Sequence, residues 1–91
     1  MEELREIIND FWDELEGAKH YAEKAREAKS PECASRYREM AEQELHHAKE
    51  LHEMGKKVAE GYGTEAARAV WAWEDPHLQH HLKKTMEKVN K

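Results

Sequence analysis

The chain has 91 residues, enough for one small domain of two long helices or three to four short elements, which excludes two compact domains. Ala, Glu, Lys, Leu and Arg make up 50 residues whereas Ile, Val and Thr number only 7, a balance that favours long helices. The formal charge of −5 comes from acids and bases mixed along the sequence with no basic block, so nucleic acid is not an expected partner. Because only 38% of residues are hydrophobic, a lone copy would bury a thin core, and we expect an oligomer, a metal site or both.

The first predicted element is an amphipathic helix from Leu4 to about Lys29. Its apolar residues recur at helical spacing and keep to one face. They are Leu4, Ile7, Ile8, Phe11, Leu15, Ala18, Ala22 and Ala25. Ser30 followed by Pro31 is an N-cap followed by a proline at the first helical position, so a second helix is predicted to start after a tight connection.

The second predicted helix has its own apolar face and ends near Gly61 and Gly63. The face comprises Cys33, Tyr37, Met40, Ala41, Leu45, Ala48, Leu51 and Val58. Cys33 is the only cysteine, and we expect it to serve as a small packing residue. Together the two helices predict an antiparallel hairpin over residues 1–62.

The remaining residues, 63–91, are predicted to form short helices that make oligomer contacts. Thr64 caps a third helix over 65–74, and Asp75 with Pro76 repeats the cap-plus-proline signal for a fourth helix toward Val89. Aromatic residues of the kind found here are enriched at protein interfaces. The individual roles of several bulky residues and histidines stay open from the sequence: Trp71, Trp73, His77, His80 and His81.

Two carboxylates interrupt the apolar faces of the hairpin. In a hairpin folded about residue 29, Glu14 and Glu44 lie at the same height, about 22 Å from the turn. His47 follows Glu44 by three residues, so its imidazole stands over the same face one turn further on. The spacing therefore predicts three ligands that converge on one point: Glu14, Glu44 and His47.

These ligand types indicate a particular class of metal. Two buried carboxylates are costly without a cation, and no Lys or Arg lies nearby on these faces. Oxygen ligands with one imidazole per metal suit iron or manganese, and iron is the preferred prediction. Two Glu and one His are half of the four-Glu, two-His set that holds a metal pair in a four-helix bundle, so a symmetric dimer would complete it.

The motifs resemble those of the ferritin-like superfamily. Glu14-Leu-Glu-Gly-Ala-Lys-His-Tyr21 resembles the first-helix motif, and Glu44-Leu-His-His47-Ala48 resembles Glu-x-x-His-Ala. The interval of 30 residues between the two Glu resembles the half-length encapsulated ferritins, which assemble a di-iron site between two subunits. This resemblance implies an all-α hairpin that dimerises into a four-helix bundle.

The same resemblance implies a ferroxidase that binds two Fe(II) ions across the dimer and oxidises them with O2, in iron storage or detoxification. It carries over Glu14, Glu44 and His47 as iron ligands and Tyr21 as a group that orients a carboxylate. The C-terminal LKKTMEKVNK does not resemble the apolar peptide that docks such proteins inside a shell, which leaves encapsulation open. We expect at least a homodimer and a ring of dimers.

Two other functions remain open from the sequence. The chain could be a non-enzymatic helical assembly module that uses a metal, or a protonated carboxylate cluster, to hold its dimer together. A peroxide-reducing protein like rubrerythrin is less favoured, because the four-cysteine iron site of such proteins is not present. With no apolar run of about 18 residues and an acidic start, we expect a cytoplasmic protein, either free or inside a protein compartment.

Overall fold

The computed structural model describes residues 1–90 apart from the side chain of Tyr62, and its regular structure is helical. Three α-helices follow one another: α1 is Glu2–Glu27, α2 is Pro31–Lys57 and α3 is Glu65–Val89. A five-residue π-helical turn, Val58–Tyr62, continues from the end of α2. None of the described helices is long and apolar enough to cross a membrane.

Helices α1 and α2 form the predicted antiparallel hairpin. Ser30 caps α2, since its Oγ accepts a hydrogen bond of 3.1 Å from the backbone N–H of Cys33. The predicted register is confirmed near the turn, where the rings of Tyr21 and Tyr37 stack with centroids 6.2 Å apart. All eight residues predicted for the apolar face of α1 are buried.

The apolar face of α2 is only partly buried. Ala41, Leu45 and Ala48 face the core, but Cys33 is exposed and Met40 is 37% exposed. The prediction that Cys33 packs internally is therefore wrong. It lies in the first turn of α2, close to the end of the hairpin, where none of the other elements within residues 1–90 covers it.

The two short C-terminal helices that the sequence predicts are in fact one helix, α3. Thr64 caps it as expected, accepting a hydrogen bond of 3.2 Å from the N–H of Ala67. Asp75 does not cap a new helix, because its carboxylate accepts hydrogen bonds from Gln79 and lies 2.6 Å from Nε2 of His52 on α2. Pro76 stands inside the helix, where it removes one backbone hydrogen bond. Lys91, at the end of the predicted segment, lies outside the described residues.

Helix α3 lies along one side of the hairpin and completes the core. On its N-terminal half the Trp71 ring packs over Gly55 of α2, where a Cβ would lie 2.6 Å from the ring. Further along, His81 packs edge-on against Trp12 of α1 at a centroid distance of 5.1 Å. Buried Leu78, Thr85 and Val89 anchor the rest of the helix. The other side of the hairpin has no covering helix among the described residues.

Candidate metal centre

Glu14 of α1 and Glu44 of α2 meet across the hairpin. Each is followed in its helix by a buried leucine, Leu15 and Leu45, which holds the backbone against the core and leaves the carboxylate at the edge of the helix interface. Gly17 provides the space for the Glu44 side chain: a Cβ placed on Gly17 would lie 2.7 Å from Oε2 of Glu44. The two carboxylates therefore occupy one site between the helices.

The electrostatics of this pair favour the protonated form of Glu44. Hydrogen bonding to Glu14, partial burial and the negative charge of Glu14 together raise the pKa of Glu44 to about 7. His47 acts in the opposite direction, since a positive charge nearby favours the ionised carboxylate. Glu44 therefore changes from its protonated to its ionised form as the pH passes through about 7.

His47 borders the pair from the solvent side. Its Nδ1 lies 3.5 Å from Oε2 of Glu14, and its side chain is 55% exposed. That Oε2 atom is buried and has no hydrogen-bond partner, which makes it an acceptor without a donor. A cleft of about 410 Å³ opens beside His47, and all of its lining residues belong to α1 and α2.

The single chain does not bring the three predicted ligands to one point. Among the described residues, no three His, Cys, Asp or Glu side chains are grouped so that they could hold a metal ion. The reason is that Glu44 lies inward over Gly17 while His47 extends toward solvent. The donor set nevertheless fits a hard cation, because it has an unpartnered buried oxygen, a second carboxylate beside it and an imidazole on the open side.

Tyr21, predicted to orient a carboxylate, lies about one turn nearer the hairpin end than Gly17. Its ring stacks on Tyr37, and within the described residues its hydroxyl has no hydrogen bond to Glu14 or Glu44. The role predicted for Tyr21 therefore stays a prediction.

The histidines outside the predicted site have separate surroundings. His46 pairs with Glu50 at 2.9 Å on the exposed side of α2. His77 lies against Trp73, whereas His81 lies against Trp12, so the two rings have different aromatic neighbours although they are one turn apart. Partial burial, with His80 and Lys19 nearby, lowers the pKa of His81.

One polar network was not predicted from the sequence. His52, only 15% exposed, joins Asp75 across the α2–α3 interface, and its ring lies between those of Phe11 and Trp71. Burial would raise the pKa of Asp75, but the contacts with Gln79, His52 and Lys56 outweigh it and hold the pKa below its usual value. Because Asp75 precedes Pro76, the sequence predicted a helix N-cap at Asp75 and gave no indication of its contact with His52.

A helical hairpin with a Glu on one helix and Glu-x-x-His on the next is the arrangement of the ferritin-like carboxylate proteins. The Rubrerythrin family model matches residues 9–89, and the chain belongs to the Rubrerythrin family, whose members are ferritin-like di-iron proteins. No curated protein and no solved structure matches the chain. Family membership supports iron binding and redox chemistry in general.

Proposed function

We propose that the chain is a ferroxidase that oxidises Fe(II) to Fe(III) at a di-iron centre formed between two copies. The observation that carries this proposal is the Glu14–Glu44 pair, in which a buried carboxylate oxygen lacks a donor and a neighbouring carboxyl has a pKa of about 7. Such a pair accepts a divalent cation in exchange for a proton, since the metal replaces the proton as the partner of both carboxylates.

The three residues would hold the ions in different ways. Glu44, at the interface of the helices, would bridge the two ions, and Glu14 would complete the coordination of each; these two roles can be exchanged. His47, on the open side, would supply the terminal nitrogen. Fe(II) is the substrate: the two ions each give one electron to O2, which takes up two protons from solvent and leaves as hydrogen peroxide. Before iron binds, the protein would hold the two carboxylates together, and Glu44 would release its proton as the metal enters.

The open side of the hairpin supports completion of the site by a second copy. Met40 and Met54 precede and follow the Glu44–His47 turn on α2 and are 37% and 50% exposed. The cleft beside His47 is bounded by Leu51 and Met54 on one side and by acidic residues of α1 on the other. A symmetric partner on this side would bury the methionines and add two Glu and one His, completing the four-Glu, two-His set.

The test is an anaerobic Fe(II) titration followed by air. We expect saturation at one iron per chain, then an absorbance rise faster than in buffer. Glu44→Ala should abolish the saturable binding and the rapid phase, whereas Glu42→Gln, an exposed acid on the same helix, should leave both unchanged. Oxidation at the buffer rate, or unchanged oxidation in Glu44→Ala, would contradict the proposal.

The alternative is an assembly module in which the metal, or the protonated carboxylate cluster itself, only holds the dimer together. The raised pKa of Glu44 supports this alternative, because a protonated Glu44 hydrogen-bonded to Glu14 lets the pair persist without iron. The same titration separates the two functions, since an assembly module would bind iron and dimerise without accelerating oxidation. Replacing air with hydrogen peroxide then identifies the oxidant. Storage of the product would need a larger assembly or a partner shell, because a hairpin encloses no cavity.

A further inference from the structure

The outward face of α3 carries the most exposed large hydrophobic side chain of the described residues. Trp73 is 73% exposed, although Trp71, two positions earlier, is 4% exposed. Over four turns, the positions opposite the buried residues of α3 have no charged side chain, in a chain that is 38% charged. We call this patch the Trp73 surface; it comprises Ala66, Ala69, Trp73, Pro76, His77 and His80.

A cleft of about 340 Å³ lies beside the Trp73 surface, between the start of α1 and α3. Ile8 and Val70 form its apolar wall, and Arg5 and Glu74 line it with opposite charges. Because Val70 and Glu74 flank Trp73 in the helix, the protruding indole and the cleft are neighbours on the same side of the molecule.

A protrusion next to a recess suits a two-fold interface, in which the same patch must fit a copy of itself. Burial of one tryptophan removes roughly 150–250 Å² from water, so two reciprocal insertions form the centre of an interface. Arg5 and Glu74 do not pair with each other in the described chain, which leaves each free to face the opposite charge across a two-fold axis. The patch is also uncharged, so two copies can meet there without the repulsion expected elsewhere on a chain of charge −5.

We propose that the Trp73 surface binds a second copy of this chain about a two-fold axis, with Trp73 of each copy in the cleft of the other. Arg5 of each copy then faces the partner's Glu74. This contact is separate from the Glu14–Glu44 side of the hairpin, since its cleft is lined by α1 and α3 and the cleft at His47 by α1 and α2. It does not depend on iron.

The experiment measures the mass of the purified chain by sedimentation, in a chelator so that no metal contributes to association. Trp73→Glu should halve the mass of the assembly or raise its dissociation constant at least tenfold. The fold should survive, because this side chain contributes little to the core. Lys57→Glu makes a charge change at an exposed site on α2 and should leave the mass unchanged.

A charge exchange tests the two-fold arrangement itself. Arg5→Glu should weaken association, because the substituted carboxylate would face the partner's Glu74, and the double variant Arg5→Glu/Glu74→Arg should restore it. Helix content measured by circular dichroism excludes unfolding as the cause. The proposal is overturned if the wild-type chain is monomeric at every concentration, if Trp73→Glu associates like the wild type, or if the double variant fails to restore association. Iron titration of Trp73→Glu reports separately on the metal centre.

Discussion

The carboxylate of Glu44 occupies the space that a side chain on Gly17 would need. Its Oε2 lies 2.7 Å from the position of a Cβ at residue 17, closer than real Cβ contacts allow. The absence of a side chain on α1 therefore makes room for a carboxylate of α2, so Gly17 would support the proposed metal centre although it has no ligand atom.

Replacing Gly17 with alanine should separate binding from stability. The flexible end of Glu44 can move aside, so we expect the substitution to keep the fold and to add about 0.5–1 kcal/mol through alanine's better helix propensity. Affinity for Fe(II) should fall about 10- to 100-fold, the range seen when the support of a metal ligand is lost. Thermal unfolding and anaerobic titration measure the two effects. Gly61→Ala is the control, since nothing lies within 4 Å of its Cβ position; equal metal affinity in the two variants would contradict this role of Gly17.

Gly55→Ala, unlike Gly17→Ala, should lower the stability of the fold. The added methyl would lie 2.6 Å from the buried Trp71 ring, which has no open space to enter, so we expect a loss of about 1–3 kcal/mol in the free energy of unfolding. Denaturant titration followed by tryptophan fluorescence measures it. Equal stability of Gly55→Ala and Gly61→Ala would contradict the packing of Trp71 over Gly55.

The metal-free protein should lose stability as pH rises from about 5 to 8. The folded-state pKa of Glu44 is about 7, above its unfolded value of 4.5, so the folded state binds the proton more tightly and its advantage disappears as pH passes through 7. Glu44→Gln keeps a neutral donor for Glu14 and should flatten this dependence, giving a higher Tm than the wild type at pH 8 but a similar Tm at pH 5. Parallel pH profiles of the two proteins would show that Glu44 ionises normally.

His52→Ala should weaken the attachment of α3 to the hairpin. It removes a short contact to Asp75 and an imidazole packed between two aromatic rings, and we expect a loss of about 1–3 kcal/mol in the free energy of unfolding. His46→Ala is the matched control, because its pair with Glu50 is exposed and within one helix, and it should change stability by less than about 0.5 kcal/mol. Comparable losses from both substitutions would argue against the His52–Asp75 network.

The carboxylate of Asp75 gives that network a pH dependence of its own. Its pKa is lower in the folded protein than in the unfolded chain, so it stabilises the fold above the unfolded value of 3.8 and stops doing so as pH falls through the folded value. Asp75→Asn should therefore be less stable than the wild type at pH 7, and the difference should shrink below about pH 4. If denaturant titration shows the same stability difference between Asp75→Asn and the wild type across this pH range, the effect comes from the shape of the side chain rather than from its charge.

The hairpin was predictable because its signals are local and agree with one another. The apolar periodicity of α1, the Ser30-Pro31 start of α2 and the count of residues from the turn together set the register, and the stacking of Tyr21 on Tyr37 follows from it. The same register brings Glu14 to Glu44.

What could not be predicted depends on contacts between distant parts of the chain. Asp75 followed by Pro76 is a local signal for the start of a helix. In the structure the Asp75 carboxylate instead contacts His52, which lies 23 residues earlier, and α3 continues through Pro76. The outward direction of the His47 side chain could not be predicted either. Residue spacing shows on which face of a helix a residue lies, but not which rotamer its side chain adopts. The glycines at 17 and 55 carry no periodic signal, although each makes room for a specific partner.

Pro76 divides α3 into two parts that pack against the hairpin through different residues. The carbonyl of Ala72 lacks its usual amide donor, and the anchors differ on either side: Trp71 against Gly55 before the break, and Leu78, Thr85 and Val89 after it. Hydrogen exchange in such a helix proceeds through local openings that need not involve both parts at once. The C-terminal part can therefore exchange its amides while Trp71 stays packed on Gly55 and Trp73, which also precedes Pro76, keeps its position.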